Sequence, residues 1–375
     1  MAKRQQDNRW RRLKDLVRKH GTPLVAVSRS ALLGQLARFG EALGRVKPFY
    51  AIKANSHPDI LKTMVAGGSG FDAASIPEMQ AALSAGAKPK DIIFANTIKP
   101  AGAIATADKA GVDLMTFDSE YELDKIAGGA PGSRVIVRIK VPNVGSIVEL
   151  SLKFGVEPAD AIPLLIKAHK MGLKPAGVSF HVGSQCTRVE NFIQALEMAA
   201  IIVADARLKQ LPLEIVDIGG GFPIAHFDYE EDPFAPIAAV IAKEIDRLFD
   251  PNVRIIAEPG RFLVGPAATL IMRVVGKAIR DNKHWYYLDD GVYGGLSGMI
   301  FDHASYQFQV AKAGRRQLST LAGPTCDSLD IIARGQELPE LEIGDIVFVD
   351  NIGAYSVASA TYFNGLAPPK VVMIP

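Results

Sequence analysis

Short apolar runs alternate with amphipathic stretches over the first two-thirds of this 375-residue chain, and this pattern restricts the fold more than any other feature. The eight runs begin at Phe49, Gly70, Ile92, Asp113, Arg134, Ala176, Glu214 and Arg254. Successive starts are separated by 21, 22, 21 and 21 residues, and then by 42, 38 and 40. Strands that alternate with helices favour parallel pairing with right-handed crossovers. Eight such units predict an α/β fold, a (β/α)8 TIM barrel over residues 30–262.

The pattern changes beyond residue 265. Strand-like segments follow one another there, separated by Gly, Asp and Asn turns, as in ATLIMRVVGKAIR, HWYYLDDG, QFQVAKA and GDIVFVDN. No long helical stretch intervenes, which is typical of a β-sandwich or small β-barrel. The segment 23–28 is also strand-like, and we expect it to pair with these strands. The sequence therefore predicts an all-β domain that combines residues 1–29 with 263–375.

Composition and charge exclude several classes of protein. Hydrophobic residues make up 48% of the chain and charged residues 22%, which is ordinary for a globular protein and rules out disorder. A formal net charge of +2 provides no electrostatic case for nucleic-acid binding. No apolar run approaches the ~20 residues that span a bilayer, so no membrane contact through such a span is expected.

The N-terminus and the cysteines indicate the compartment. The segment 1–21 carries eight Lys and Arg residues and lacks the apolar core of a signal peptide. We interpret it as a solvated amphipathic helix, with a membrane or RNA contact as the alternative. Two cysteines, Cys186 and Cys326, cannot form a disulfide framework, so a cytoplasmic location is expected.

Polar residues close several of the predicted strands, at the barrel end where catalytic groups lie. Lys53 follows the first run, and desolvation there favours the neutral amine that forms Schiff bases. The alternative is a lysine that extends to solvent at the barrel rim. Asp72 lies in the second run and Arg138 closes the fifth. His181 closes the sixth, where a purely structural role is the alternative to a functional one.

The loops after the last two predicted strands have the composition of an anion site. The seventh run ends in Asp217-Ile-Gly-Gly-Gly-Phe-Pro, and three successive glycines let backbone N–H groups converge on an anion. The eighth ends in Glu258-Pro259-Gly260-Arg261. Barrels often bind phosphate with these two loops, although two tight turns would have the same composition. Neither a G-x-G-x-x-G nor a P-loop motif occurs, and no metal-ligand motif such as H-E-x-x-H is found.

A phosphate site and a lysine at the strand ends of one barrel suggest pyridoxal 5′-phosphate (PLP) as the cofactor. Glu258 then has a specific role, because a carboxylate beside the pyridine nitrogen keeps that nitrogen protonated and makes the ring a strong electron sink. An arginine at this position would weaken the sink. Glu258 therefore favours decarboxylation over racemisation.

Eight motifs together carry a specific family resemblance over residues 23–365. They are PFYAIKAN, GFDAASIPE, FHVGSQC, DIGGGFP, AEPGRFLV, DDGVYGGLSGMIFDH, GPTCDSLD and NIGAYS. The chain resembles the fold-type III PLP-dependent decarboxylases, the alanine-racemase-like group that contains ornithine, lysine, diaminopimelate and biosynthetic arginine decarboxylases. Ornithine decarboxylases are the members it looks closest to.

The resemblance implies a role for each residue of the predicted cofactor site. Lys53 is similar to the Schiff-base lysine, His181 to the histidine that stacks on the ring, and Glu258 to the partner of the pyridine nitrogen. Asp72 and Arg138 resemble the pair that steadies the lysine and the ring hydroxyl. The remaining cofactor residues are predicted around the phosphate and are Ser184, Gly220, Gly221, Pro259, Gly260, Arg261 and Tyr355.

The resemblance also implies a substrate site that two subunits of a homodimer share. Cys326 looks like the cysteine that reaches in from the partner subunit and protonates Cα after CO2 leaves. Without the flanking motif, a small buried side chain would be the ordinary interpretation of Cys326, and Cys186 keeps that interpretation. Asp302 and Asp327 match carboxylates that bind the distal ammonium of a cationic amino acid. Tyr293 and Phe301 match residues near the substrate.

These features predict decarboxylation of L-ornithine to putrescine, with L-lysine left open as a second substrate. Phe301 is a departure, because many ornithine decarboxylases have tyrosine there. Diaminopimelate decarboxylases typically read C-E-S-G-D where this chain reads C-D-S-L-D. The alternatives are another decarboxylase of the family, acting on carboxynorspermidine or diaminopimelate, an alanine-racemase-like isomerase, and a non-catalytic regulatory homologue. The last class usually loses the lysine, the cysteine or a phosphate ligand, and this chain retains all of them.

Overall fold

The computed structural model describes residues 2–100, 102–146, 152–225 and 232–375, with the side chains of residues 2–7 left out. The chain divides into two compact units. One unit comprises Met1–Ser30 and Val264–Pro375, and the other comprises Ala31–Leu263.

The chain enters the first unit through a helix and a strand, α1 (Ala2–His20) and β1 (Leu24–Ser28). The helix is amphipathic as expected, but only its basic face is solvated. Leu13 and Val17 are buried in an apolar cluster with residues of the sheet, and the Trp10 ring lies edge-on to that of Phe348 at 4.6 Å. Burial of this apolar face holds α1 on the sheet of its own unit.

Eight parallel strands close into a barrel in the second unit, which confirms the predicted fold class. In chain order they are β2 (Val46–Ala51), β3 (Gly70–Ala73), β4 (Ile92–Phe94), β5 (Leu114–Phe117), β6 (Arg134–Arg138), β7 (Lys174–Ser179), β8 (Ile215–Asp217) and β9 (Arg254–Ala257). Each neighbouring pair is parallel, and β9 closes the barrel on β2 through Val46 and Ile255.

Helices alternate with the barrel strands as the sequence pattern predicts, since the first of them precedes β2 and a helix follows each of the eight strands. They are α2 (Arg29–Ala42), α3 (Pro58–Ala66), α4 (Ile76–Ser84), α5 (Ala103–Lys109), α6 (Glu120–Gly129), α7 (Pro158–Lys170), α8 (Val189–Leu208), α9 (Phe234–Leu248) and α10 (Arg261–Val264). Ser75 caps α4 by accepting a hydrogen bond from the Glu78 N–H. The Glu78 carboxylate in turn accepts from the Ala74 N–H at 2.7 Å, so the start of this helix is held from both sides.

Apolar side chains from strands around the barrel form one buried cluster. It consists of Phe49, Ile93, Ala95, Leu114, Ile136, Ala176, Ile215 and Ile256. Gly70 on β3 makes room for the largest of them, because a Cβ at Gly70 would lie 2.7 Å from the Phe49 ring. The filled interior leaves the carboxyl ends of the strands to carry polar residues.

The all-β part of the first unit is a mixed sheet of eight strands. Beyond β1 its strands are β10 (Ala268–Arg280), β11 (Lys283–Leu288), β12 (Gln309–Val310), β13 (Arg316–Ala322), β14 (Ile331–Pro339), β15 (Ile346–Asp350) and β16 (Lys370–Ile374). A short helix, α11 (Gly298–Phe301), follows β11. The N-terminal strand β1 lies between β10 and β16, as expected for a segment that pairs into this domain.

No helix among the residues that the structure describes has the length and apolar character that crossing a membrane requires.

Candidate active site

Lys53 and Asp72 meet at the carboxyl ends of β2 and β3. Lys53 lies in a single turn of 3-10 helix directly after β2, and Ala51 is in register with Asp72 on β3. The Lys53 Nζ donates to Asp72 Oδ2 at 2.8 Å. Asp72 is buried, whereas 42% of the Lys53 side chain remains exposed. The carboxylate therefore orients an amine that a ligand can still reach.

Arg138 ends β6 in surroundings that are short of water and rich in carboxylates. Burial lowers the pKa of Arg138, and the nearby carboxylates of Glu258, Asp118 and Asp217 oppose that shift. The guanidinium carbon also lies 5.2 Å from the centre of the Phe154 ring. Because a guanidinium keeps its proton in proteins, Arg138 is a fixed positive charge among these acids.

His181 lies two residues beyond β7 and is neutral near physiological pH. Burial, followed by the positive charges of Arg138 and Lys53, lowers the pKa of His181 well below its ordinary value. Its Nδ1 accepts a hydrogen bond from the Gly183 N–H at 3.0 Å, so in the neutral ring the proton lies on Nε2. A neutral imidazole of defined tautomer presents a flat face on which an aromatic ring can stack.

Glycines in the loops after β7 and β8 form a tight backbone cradle. Gly183, Gly219 and Gly221 have φ values of 92°, 63° and 93°, which residues with a Cβ rarely adopt. A Cβ at Gly221 would lie 2.2 Å from the Gly183 carbonyl oxygen. A Cβ at Gly220 would lie 2.8 Å from the Glu258 carbonyl oxygen and 3.0 Å from His181 Nε2. The loops approach closely only because these positions lack side chains.

Arginine and serine side chains complete this end of the barrel. Arg261 is the first residue of α10 and is largely buried, and its Nη2 lies 3.4 Å from Ser184 Oγ in the loop after β7. Pro259 links the neighbouring loop to β2, because its carbonyl accepts from the Ala51 N–H at 3.3 Å. A guanidinium, a hydroxyl and glycine N–H groups at the ends of β7, β8 and β9 have the chemistry of a phosphate site.

Asp217 interacts with the predicted residue Glu258, although Asp217 itself was not predicted to belong to the site. Asp217 ends β8, is 1% exposed, and accepts from the Gly219 N–H at 2.9 Å through Oδ1. Burial raises the pKa of Asp217 to about 7. Burial, and then the charges of Asp217 and Asp72, raise the pKa of Glu258 well above its usual range. The two groups interact directly, so their titrations are coupled, and burial of both favours protonated carboxyl groups in the protein without cofactor. The position of Asp217 as the last residue of a strand was a signal that could have identified it.

Taken together, these barrel residues fit PLP. Lys53 offers a reachable amine, and the glycine cradle with Arg261 offers an anion site. His181 offers a neutral ring, and Glu258 can supply or share a proton with a ring nitrogen. The cradle is the most specific of these features, since a Cβ at Gly220 or Gly221 would collide with a carbonyl oxygen of a neighbouring loop.

The all-β unit brings a second group of predicted residues together. The hydroxyl of Tyr293 donates to Asp327 Oδ2, and the Leu329 N–H donates to Asp327 Oδ1 at 2.9 Å. The Leu329 N–H and then the Tyr293 hydroxyl lower the pKa of Asp327, so this carboxylate is ionised. Cys326, beside it in the chain, has an exposed free thiol. An ionised carboxylate beside a thiol can bind a cationic group and supply a proton next to it.

The other predicted residues of this unit lie on two further segments. Phe301 is the last residue of α11 and is 63% exposed, and Asp302 follows it with a partly exposed side chain. Tyr355 lies beyond β15 and has a φ of 52°. Asn364 was not predicted, although it contacts Cys326 through both ends of its amide.

Comparisons with known proteins agree with this chemistry. A family model described as "Pyridoxal-dependent decarboxylase, pyridoxal binding domain" matches residues 29–265. A lysine/ornithine decarboxylase of Selenomonas ruminantium is 38% identical, over 95% of this chain and 91% of that protein. The solved lysine/ornithine decarboxylase of Vibrio vulnificus, complexed with putrescine, is 33% identical with a TM-score of 0.89, over 96% of this chain and 97% of that one. The arginine decarboxylase of Paramecium bursaria Chlorella virus, bound to agmatine, is 33% identical with a TM-score of 0.92, over 96% and 99%.

The family model spans more than half of the chain, and the relatives cover nearly all of it. Their fold is the barrel with an all-β domain described above. The cofactor of this family is PLP and its reaction is decarboxylation, so the resemblance stated from the motifs is confirmed. The chain belongs to the fold-type III PLP-dependent decarboxylases, the family that contains the ornithine and lysine/ornithine decarboxylases.

Proposed function

We propose that this enzyme decarboxylates L-ornithine to putrescine and CO2 and accepts L-lysine as a second substrate. The observation that carries the proposal is the ionised Asp327 beside the exposed thiol of Cys326. A carboxylate whose oxygens already accept from Tyr293 and Leu329 is oriented to receive an ammonium group. The names of the Selenomonas and Vibrio relatives support the same two substrates.

The barrel residues hold the cofactor in this proposal. Lys53 would hold the aldehyde group of the cofactor through its partly exposed amine. Arg261, Ser184 and the N–H groups of Gly220 and Gly221 would bind the phosphate, with Gly260 and Tyr355 as further members of that set. Bound PLP supplies an electron sink for the pair of electrons that the departing carboxylate leaves at Cα.

Polar residues around the ring then have separate tasks. Glu258, which interacts with Asp217, holds a proton for the pyridine nitrogen. Asp72 keeps the Lys53 amine oriented. Arg138 supplies a fixed positive charge near the acidic side chains of Asp72, Asp217 and Glu258. His181, neutral and fixed through Nδ1, would stack on the ring of the cofactor. The carboxyl at position 258 is the group that favours loss of CO2 over racemisation.

Protonation of Cα is assigned to Cys326 of the second subunit in a homodimer. The Sγ–H bond breaks with its electrons kept on sulfur, and the new Cα–H bond uses the electron pair that CO2 left behind. Exposure supports a shared site, since Cys326 and its neighbour Leu329 lie on the surface of the isolated subunit. We also place the enzyme in the cytoplasm, where the two free cysteines remain reduced.

The length of the substrate determines whether the enzyme prefers ornithine or lysine. One methylene changes binding in an apolar pocket by about 1–3 kcal/mol. The preference for one of the two substrates over the other is therefore expected not to exceed about 200-fold. Phe301, which lacks a hydroxyl, gives the substrate tail an apolar neighbour rather than a hydrogen-bond partner. Agmatine bound to the Chlorella virus relative makes arginine the substrate to test beside these two.

The test compares CO2 release from ornithine, lysine, arginine and diaminopimelate by the purified enzyme loaded with PLP. We expect the highest kcat/KM for ornithine, measurable turnover of lysine, and little from the others. Asp327→Asn keeps the shape of the side chain but removes its charge, and it should raise KM for both cationic substrates. A preference for arginine or diaminopimelate would contradict the proposal.

A further inference from the structure

Asn364 contacts both the backbone and the side chain of Cys326, which lies 38 residues earlier in the chain. Its Oδ1 accepts from the Cys326 N–H at 3.0 Å, and its Nδ2 lies 3.4 Å from Cys326 Sγ. Only the oxygen of an amide side chain can accept from a main-chain N–H, because its NH2 group is a donor, so the first contact determines which way the amide faces. The NH2 group is therefore the end of the amide that faces the sulfur.

The segment that carries Asn364 is held against Tyr293 by a hydrogen bond and by stacking of two aromatic rings. The Thr361 N–H donates to the Tyr293 carbonyl at 2.8 Å, and the Phe363 ring stacks on the Tyr293 ring with centroids 4.3 Å apart. The φ of Asn364 is 55°, in the left-handed region that asparagine tolerates better than most residues. This conformation, together with the stack beside it, directs the amide at the cysteine.

We propose that Asn364 is a positioning residue that holds the thiol of Cys326 in the orientation needed for proton delivery. A sulfur that accepts from an amide N–H through a lone pair keeps its own hydrogen available for donation away from Asn364. Once that proton has left, the same N–H stabilises the negative sulfur. The inference rests on the role given to Cys326 in the proposed function.

Two variants separate the contact from the backbone conformation. Asn364→Asp tolerates the left-handed region and keeps an oxygen for the Cys326 N–H, but it loses the donor to sulfur and puts a negative charge there. Asn364→Gly also tolerates the conformation and removes the side chain altogether. Asn282, exposed and with the same φ of 55° in the β10–β11 turn, allows matched controls: Asn282→Asp and Asn282→Gly.

The first measurement is alkylation of Cys326 by iodoacetamide, followed by mass spectrometry on the protein without cofactor. Asn364→Asp should slow alkylation by about fivefold or more, the factor that one ordinary hydrogen bond is worth, because a carboxylate disfavours the reacting thiolate. The Asn282 variants should match the wild type. An unchanged alkylation rate in Asn364→Asp would overturn the proposed contact.

The second measurement is steady-state decarboxylation by the enzyme loaded with PLP. Asn364→Gly should lower kcat by about fivefold with KM nearly unchanged, since only the donor's orientation is lost. An unchanged kcat would overturn the catalytic role even if alkylation slows. Wild-type turnover by Cys326→Ala would instead refute the role of the cysteine itself, while the alkylation result would still report whether the contact exists.

Discussion

Replacing Gly221 with alanine is expected to weaken both the fold and the binding of the cofactor. The substitution imposes two separate costs. A φ of 93° costs a residue with a Cβ about 1–2 kcal/mol. The added carbon would also lie 2.2 Å from the Gly183 carbonyl oxygen and 3.1 Å from Val182 Cγ2, and relief of such crowding typically costs about 1–3 kcal/mol.

Gly172 provides a control that carries the first cost without the second. Its φ is 81°, and a Cβ there would have no atom within 4 Å. Gly172→Ala should therefore lose about 1–2 kcal/mol of unfolding free energy and bind PLP normally. In Gly221→Ala the loops after β7 and β8 must separate to relieve the contact, which would displace the N–H groups proposed to bind the phosphate.

The assay is a PLP titration of the cofactor-free proteins, with urea unfolding of the same samples. If about 2 kcal/mol of the crowding cost reduces the free energy of PLP binding, the Kd for PLP should rise about thirtyfold in Gly221→Ala. The difference in unfolding free energy between the two variants measures the part of the crowding cost that the cofactor-free fold bears. Equal PLP affinities for Gly221→Ala and Gly172→Ala would refute the assignment of the glycine cradle to the phosphate.

Three further predictions concern single polar residues. Lys53→Ala should remove the visible absorbance of PLP bound covalently to lysine, and survival of that absorbance would show that another amine binds the cofactor. The raised pKa of Asp217, about 7 against 3.8 for a free side chain, means that the folded apoprotein binds more protons than the unfolded chain between these values. Its unfolding free energy in urea should therefore fall as pH rises from about 4 to about 7, and Asp217→Asn should flatten this slope. Cys326→Ala should cut diamine production while PLP affinity stays intact, whereas Cys186→Ala should leave turnover largely unchanged; equal turnover in both variants would remove Cys326 from the mechanism.

Much of the barrel could be predicted because each of its strands is a local pattern. The run RVIVRIK, for example, contains three consecutive apolar residues, Val135, Ile136 and Val137, since a strand of a parallel barrel is buried on both faces. Strand β14 was not predicted, because IIARGQELP alternates little and leaves Arg334 and Gly335 exposed. Strand β13 also carries polar residues at its exposed end. In both strands, hydrogen-bonded pairing within the sheet outweighs the weak preference of the local sequence for an extended conformation.

The residues of the candidate site could be predicted where they end strands or stand in motifs, and not where they depend on pairing at a distance. Lys53, His181 and Glu258 lie directly after apolar runs, at the end of a barrel where chemistry is expected. The Asn364–Cys326 contact joins segments 38 residues apart, in a loop without periodicity. Asp217 lay within an assigned motif, but its effect on Glu258 follows from the adjacent positions of β8 and β9 in the closed barrel.

The sequence by itself determined the order of the eight strands, the family and the chemical types of the groups at the barrel mouth. These are encoded in stretches of a few residues, where apolar periodicity and motif spacing act locally. Only the tertiary structure decided the direction in which each group titrates: the pKa of His181 is lowered, those of Asp217 and Glu258 are raised, and that of Asp327 is lowered. A proton's free energy depends on burial and on charges or donors a few ångströms away, and folding alone brings those neighbours together.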